Sequence, residues 1–161
     1  MLERRHGHLV PIASMAGFVP SPGQAEYAAA KHAVRGYYAS VAAEVADRGI
    51  DVTVVCPGPV AGGSSRMVFG AQGRVEKQET AKENRKKIPA ARCCDLICRA
   101  AAHCVQEAWI AKHPVLAIAY VKCVVPPLAT KLLHQVGPKR ARALSEGRSG
   151  YNYSLAGRQH T

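Results

Sequence analysis

The chain has 161 residues, one domain's worth, and its 48% hydrophobic and 20% charged content is that of an ordinary soluble protein able to bury a real core. Six cysteines at 56, 93, 94, 98, 104 and 123 have no framework spacing, which argues against a disulfide-stapled scaffold and for free, buried thiols in a reducing compartment. Net charge is +11, which suits solvated helix faces or an anionic partner, but no helix-turn-helix, zinc finger or aromatic-basic interleaving accompanies it, so no nucleic-acid partner is expected.

In chain order, Met1 to Arg5 reads as the last turn of a helix, closed by Gly7, and no apolar run marks a signal peptide. His8 to Ala13 reads as a buried strand leading to Ser14, in which Pro11 is awkward because it removes a ladder donor. Pro20 to Gly23 is loop. A helix is expected from about Ala25 to Arg48, with Glu44 and Arg48 placed for an i,i+4 pair and Gly49 at its end. Tyr27, Lys31, Val34, Tyr38, Val41 and Val45 fall on one stripe, which turns Lys31 toward the core beside Tyr27. Asp51 to Cys56 is a β-branched strand, and strand, helix and strand make a right-handed βαβ unit. Ligands of such sheets sit at the carboxyl ends of the strands, where Ser14 and Pro57-Gly58 emerge.

Residues 66 to 88 are polar and rich in Lys and Arg, as a solvated mobile segment would be. Pro89 opens a helix to about Glu107, with Ala90, Cys94, Ile97, Ala101, Cys104 and Ala108 on one apolar face. Its cysteines are expected as core filler, and no metal site is expected. Trp109 to Ala111 is the third strand. Val115 to Leu128 is apolar but shorter than the about 20 residues a bilayer span needs. With the helix-like run from Leu128 to Val136 and the basic Lys139 to Arg142, it suits either an amphipathic C-terminal helix or contact with an anionic membrane surface. From Gly147 the chain reads as a tail.

Tyr27 and Lys31 are one helical turn apart, and Ser14 lies thirteen residues before Tyr27. A phenol titrates near about 10 in water, and a neighbouring ammonium favours its ionised form. The Ser hydroxyl both gives and accepts hydrogen bonds, which suits holding a carbonyl or alcohol oxygen. Such a set can protonate an alkoxide or deprotonate an alcohol while hydride moves at carbon.

Ser14, Tyr27-Ala28-Ala29-Ala30-Lys31 and Cys56-Pro57-Gly58-Pro59-Val60 resemble the catalytic half of a short-chain dehydrogenase/reductase. The resemblance implies the α/β fold of the C-terminal half of a doubly wound Rossmann-type sheet, with about three parallel strands, flanking helices and a helical C-terminal extension. It implies Tyr27 as general acid/base, Ser14 as substrate positioner, and Lys31 as phenol activator and ligand of the nicotinamide ribose. It places NAD or NADP against Tyr27, Lys31, Pro57, Gly58 and Val60, makes residues 66 to 88 a substrate lid, and gives a small carbonyl or alcohol as substrate. Stretches at residues 31 to 38, 107 to 110 and 139 to 140 further resemble the retinal-type, membrane-associated member-seven branch. That branch implies a retinoid, steroid or similar lipophile as substrate and an endoplasmic reticulum membrane location, a cytoplasmic one being the alternative.

The expected organisation is a partial Rossmann-like catalytic portion over 1–111, an apolar and basic helical extension over 112–146, and a flexible tail over 147–161. No glycine-rich turn for a dinucleotide's pyrophosphate follows a strand. The chain therefore reads as a truncated oxidoreductase, inactive alone, that self-associates or pairs with a full-length enzyme. The alternative is a non-catalytic isoform acting as an interaction partner of such an enzyme.

Overall fold

The computed structural model describes residues 1–61 and 86–146, together with the backbone of residues 65–70 and 73–78. Its centre is a parallel sheet. β1 (Gly7–Leu9) pairs with β2 (Ile50–Val52), in register from Gly7 opposite Ile50 to Leu9 opposite Val52. β3 (Val54–Pro57) pairs on its other side with the strand at Glu107–Ile110. Thr53 joins the two ladders, its amide donating to Leu9 O at 2.8 Å, while the Val54 amide donates to Gln106 O at 2.9 Å. Residues 50 to 57 thus form one middle strand with a neighbour on each side, and the three expected parallel strands are present.

Pro11 interrupts the first strand without ending it. The regular ladder stops at Leu9, because Pro11 has no amide to give. Pairing resumes at once: Val55 N donates to Pro11 O at 3.0 Å and Ala13 N to Val55 O at 2.7 Å. Thr53, fully buried, satisfies its hydroxyl at 2.8 Å from His8 Nε2.

Two further pairings are separate from this sheet: a short parallel one of β4 (Val60–Ala61) with β7 (Ile88–Pro89), and the longer antiparallel hairpin of β5 (Ser65–Gly70) and β6 (Gly73–Gln78). The strand at Glu107–Ile110 is β8. The expectation of a lid or solvated segment over residues 66 to 88 falls partly on residues 71–72 and 79–85, outside the described residues, as does the tail from Gly147.

Helices cover both faces, because successive side chains of the middle strand point to opposite sides. Val52, Val54 and Cys56 face one way, packing with Ala13, Met15 and Val19 against Val34 and Tyr38 of α1 (Ala25–Glu44) and Val45, its C-cap. Ala119 of α3 (Val115–Val124) and Leu133 of α4 (Pro126–Ser145) close the same core. Val55 faces the other way, with Ile88 and Ile110, against Cys93, Leu96 and Ile97 of α2 (Ala90–Ala102).

Several expected boundaries move. Residues 2–5 form a turn, and it is Arg5 (φ +49°), not Gly7, that takes the left-handed conformation. α1 stops at Glu44, so the expected Glu44–Arg48 pair does not form, and Arg48 instead meets Asp47 Oδ1 at 3.2 Å. Gly49 (φ +66°) turns the chain into β2, and a Cβ there would lie 2.3 Å from Arg5 O. α2 ends at Ala102 rather than near Glu107. Cys104 (φ +50°) donates its amide to Ala101 O and Val105 to Ala100 O, a left-handed helix stop that frees Glu107 and Ala108 for β8.

The cysteine expectation is also corrected. The buried side of α2 is Cys93, Leu96, Ile97 and Ala100, at steps of three, one and three, whereas Cys94 and Cys104 are exposed. Of six free thiols only Cys56 and Cys93 are buried. No helix among the described residues is long and apolar enough to cross a membrane.

Candidate active site

The parallel strands direct their carboxyl ends to one side of the sheet, and the residues singled out by the sequence collect there. Ser14 follows the first strand as the cap of a 3-10 turn, Met15–Gly17. Its Oγ accepts from Ala16 N at 3.1 Å and donates to Pro57 O, at the end of the middle strand, at 3.4 Å. The second bond is long, so the hydroxyl proton is cheaply redirected to an incoming oxygen. Ser14 is buried.

Lys31 lies in the second turn of α1, and its Nζ donates to Ile12 O at 3.0 Å, two residues before Ser14. The same ammonium stands 5.9 Å from the centre of the Tyr27 ring. Tyr27 itself, in the first turn, is 46% exposed rather than turned toward the core, and the rest of the stripe is half-buried from Val34 onward. Ser14, Lys31 and Pro57 are therefore joined through hydrogen bonds and the end of the first strand, with Tyr27 beside Lys31 at the open rim.

Gly17 makes this close approach possible. A Cβ on it would fall 2.5 Å from Lys31 O, so the turn after Ser14 abuts the backbone of α1 directly. Gly58 is bound in the same spirit to β8, its amide donating to Ile110 O at 2.8 Å, and a Cβ there would meet Ala111 Cβ at 2.8 Å. Val60 enters β4 opposite Ile88.

One helical turn after Lys31, Arg35 grips Glu107 with two bonds, Nε to Oε1 at 2.7 Å and Nη2 to Oε2 at 2.9 Å. Trp109 Nε1 donates to the same Oε1 at 2.7 Å. Partial burial pushes the Glu107 carboxyl upward, but hydrogen bonds from Arg35 and Trp109 outweigh it and hold the group below its ordinary value. The Glu107 hydrogen bond likewise raises Arg35. Cys56, under this cluster, is pushed to about 11 by burial and then by the Glu107 charge, so it stays a thiol. Phe18 packs on Trp109 with ring centres 4.9 Å apart, and Lys122 of α3 donates to Phe18 O.

A dinucleotide requires two kinds of surface. The hydroxyl, phenol and ammonium of Ser14, Tyr27 and Lys31 are the types of group its reacting end would need. Its pyrophosphate needs backbone amides in a glycine-rich turn opening a helix after a strand. Among the described residues α1 begins after a loop at Gln24, α2 after Pro89, α3 after Pro114 and α4 after Val125, so no such turn is among them. Among the described residues no cluster of three or more metal-ligating side chains is found.

The fold and this strand-end group define a class, Rossmann-type parallel sheets with a Tyr and a Lys one turn apart on the helix that follows the first strand. The family model for short chain dehydrogenase matches residues 1–72. By sequence and fold the chain belongs with the short-chain dehydrogenase/reductases, with resemblance to the member 7 branch. It is 31% identical over 149 residues to dehydrogenase/reductase SDR family member 7 of Homo sapiens, covering 91% of this chain and 43% of that protein. It is 50% identical over 58 residues to the 3-oxoacyl-[acyl-carrier-protein] reductase of Escherichia coli, covering 36% of this chain and 24% of the reductase. A short chain dehydrogenase from Burkholderia cenocepacia, solved in complex with NADP, superposes with a TM-score of 0.60 at 20% identity, covering 82% of this chain and 49% of that one. The chain spans less than half the length of these relatives.

Sequence reasoning missed Gly17, the Arg35–Glu107 grip and the bond from Lys31 to Ile12 O. Arg35 does share the helix face of Tyr27 and Lys31 by its spacing of four, a cue available in the sequence. The helical pattern after Pro89 runs on to about Glu107, so its reach to Arg35 of α1 is not legible in that pattern.

Proposed function

We propose that the chain carries the acid-base end of an NAD(P)-dependent oxidoreductase that interconverts a carbonyl and an alcohol. Tyr27 is the proton donor or acceptor, Ser14 holds the substrate oxygen, and Lys31 lies between the phenol and the nicotinamide ribose, with Pro57, Gly58 and Val60 along the cofactor's edge. The observation that carries this reading is the Ser14 hydroxyl held at the carboxyl end of the middle strand by a bond to Pro57 O long enough to be exchanged, one glycine contact away from the helix of Tyr27 and Lys31. When bound, the nicotinamide supplies or takes the hydride; the chain's own part is the proton and the placement of the oxygen.

The nature of a lipophilic substrate is supported by a cleft of about 350 Å³ between Pro20 and Pro22, in the loop before α1, and Leu133, Gly137 and Pro138 of α4. In this reading residues 1–111 form the catalytic portion and residues 112–146 cover it. The 161 residues alone are proposed not to turn over, since the pyrophosphate cradle is not among those described. Saturable micromolar-range binding of NADPH, read by fluorescence titration, contradicts that part.

The catalytic assignment is tested by grafting. The 58-residue stretch matched in the Escherichia coli reductase is replaced by that of this chain. A folded chimera that reduces the reductase's own substrate, and loses about 100-fold or more in kcat on Tyr27→Phe, supports it. A folded, active chimera indifferent to Tyr27→Phe overturns it.

A further inference from the structure

We infer that Arg140, near the end of α4, is a positioning residue for the Tyr27 helix. Its Nη1 donates to Ser21 Oγ at 2.8 Å and its Nη2 to Gln24 Oε1 at 2.9 Å, and Ser21 Oγ in turn reaches Gln24 Oε1 at 3.1 Å. Gln24 is the residue that caps α1. It has no side-chain bond to the helix itself, so its side chain is committed to Arg140 and Ser21, while its carbonyl accepts from Ala28 N at 2.9 Å to begin the helix. Tyr27 lies between Gln24 and Ala28, within that first hydrogen-bonded turn.

Arg140 is only 9% exposed, although most of α4's charged residues face solvent. A guanidinium is kept out of water only where its fork meets acceptors, and here one is the Gln24 cap of α1 and another is Ser21 in the loop that leads into it. The surrounding backbone is fitted to the same contact. Gly23 (φ +81°) would place a Cβ 3.2 Å from Ala141 Cα and 2.9 Å from Leu144 Cδ1, and Gly137 would place one 3.2 Å from Pro22 Cγ. Loop and helix thus meet where side chains are missing, on both sides of the Arg140 fork.

The loop from Met15 to Gln24 is the only covalent connection between Ser14 and Tyr27. One end is fixed by Gly17 against Lys31 and by Ser14 on Pro57; Arg140 fixes the other. The C-terminal helix therefore sets where the first turn of α1 begins, and with it the place of the phenol relative to the strand end. The consequence for chemistry rests on the role proposed for Tyr27, but the clamp itself does not.

The test is residue-resolved amide exchange by NMR on the full chain, comparing Arg140→Met with the parent. Arg140→Met keeps the buried stem and removes the fork. Exchange at Ala28 is expected to quicken about tenfold or more, while Val54 and Val55 in the middle strand keep their protection. Gln24→Ala is expected to quicken the same amides, and the double variant to add little beyond either one, as for two ends of one contact. Unchanged exchange at Ala28 overturns the inference. So does an equal loss at Ala28 and Val55, which marks Arg140 as a general support of the fold. Because neither readout uses catalysis, a failure of the Tyr27→Phe graft leaves this result standing, and the reverse holds as well.

Discussion

Glu107 is held by donors from two directions, Arg35 of α1 packed over the sheet and Trp109 from two residues along its own strand. Its carboxyl is depressed in the folded chain, so the stability it contributes is complete above the ordinary value of 4.5 and is lost as pH falls below that through the folded value. Denaturation midpoints should therefore drop with acid below about 4.5, and Glu107→Gln should flatten the curve there while lowering it at neutral pH. A parallel acid limb in the two proteins argues against this linkage. Thiol reactivity follows burial and charge in the same way. Cys94, Cys98, Cys104 and Cys123 are exposed, whereas Cys56 is buried and held as a thiol near 11. Mass-resolved alkylation at neutral pH should mark those four first and reach Cys56 and Cys93 only when the chain opens.

At the scale of the element, the glycines that matter are those with backbone against them. Gly17→Ala drives a methyl into Lys31 O and Gly49→Ala does the same at Arg5 O, the latter also at a positive φ. Each should cost about 1–3 kcal/mol in urea denaturation, whereas Gly36→Ala, in the exposed middle of α1 with open space around it, should be neutral or stabilising by about 0.5–1 kcal/mol. The strands and α1 were legible because β-branched runs and a long stripe announce them. The end of α1 was not, since Val45 to Arg48 continue the pattern as well as a helix would, and only Gly49's fit against Arg5 shows where the turn must come. The apolar pattern of α2 stands one residue out of phase with the face the sheet buries. Ala, Cys and Ile are spaced so that two faces look apolar, and the sheet chooses Cys93 and Ile97 rather than Cys94 and Ala101. Ser14, Tyr27 and Lys31 were visible as residue types at a spacing. What holds them, Gly17, Ile12 O and Arg140, lies in contacts between distant segments that no local pattern encodes.

Over the whole molecule, charge is unevenly spread. From 111 to 145 the chain has Lys112, Lys122, Lys131, Lys139, Arg140 and Arg142 and no Asp or Glu. The corner between α3 and α4 exposes Tyr120, Val124, Val125 and Leu128, with Val124 at 78%. An apolar corner on an acid-free, basic segment matches an anionic bilayer surface, the membrane contact we propose for this chain. In vesicle co-sedimentation the chain should pellet with phosphatidylserine-containing vesicles, less so at high salt, and the double substitution Val124→Asp with Leu128→Asp should release it. Equal pelleting of that variant, or none of the parent, goes against the contact.

Val55 is the one residue of the middle strand that has a partner on each side at once, Ile12 across one gap and Ala108 across the other. The outer strands otherwise grip different lengths of the middle one, like staggered bricks sharing a single course. β8 therefore adjoins the strand-end hydroxyl along the backbone at two points: Ala108 stands opposite the Val55 peptide that holds Ala13, the immediate neighbour of Ser14, and Ile110 O takes the amide of Gly58, next to the Pro57 carbonyl that Ser14 reaches. The far edge of the sheet and the hydroxyl are thus joined by main chain, not by packing alone.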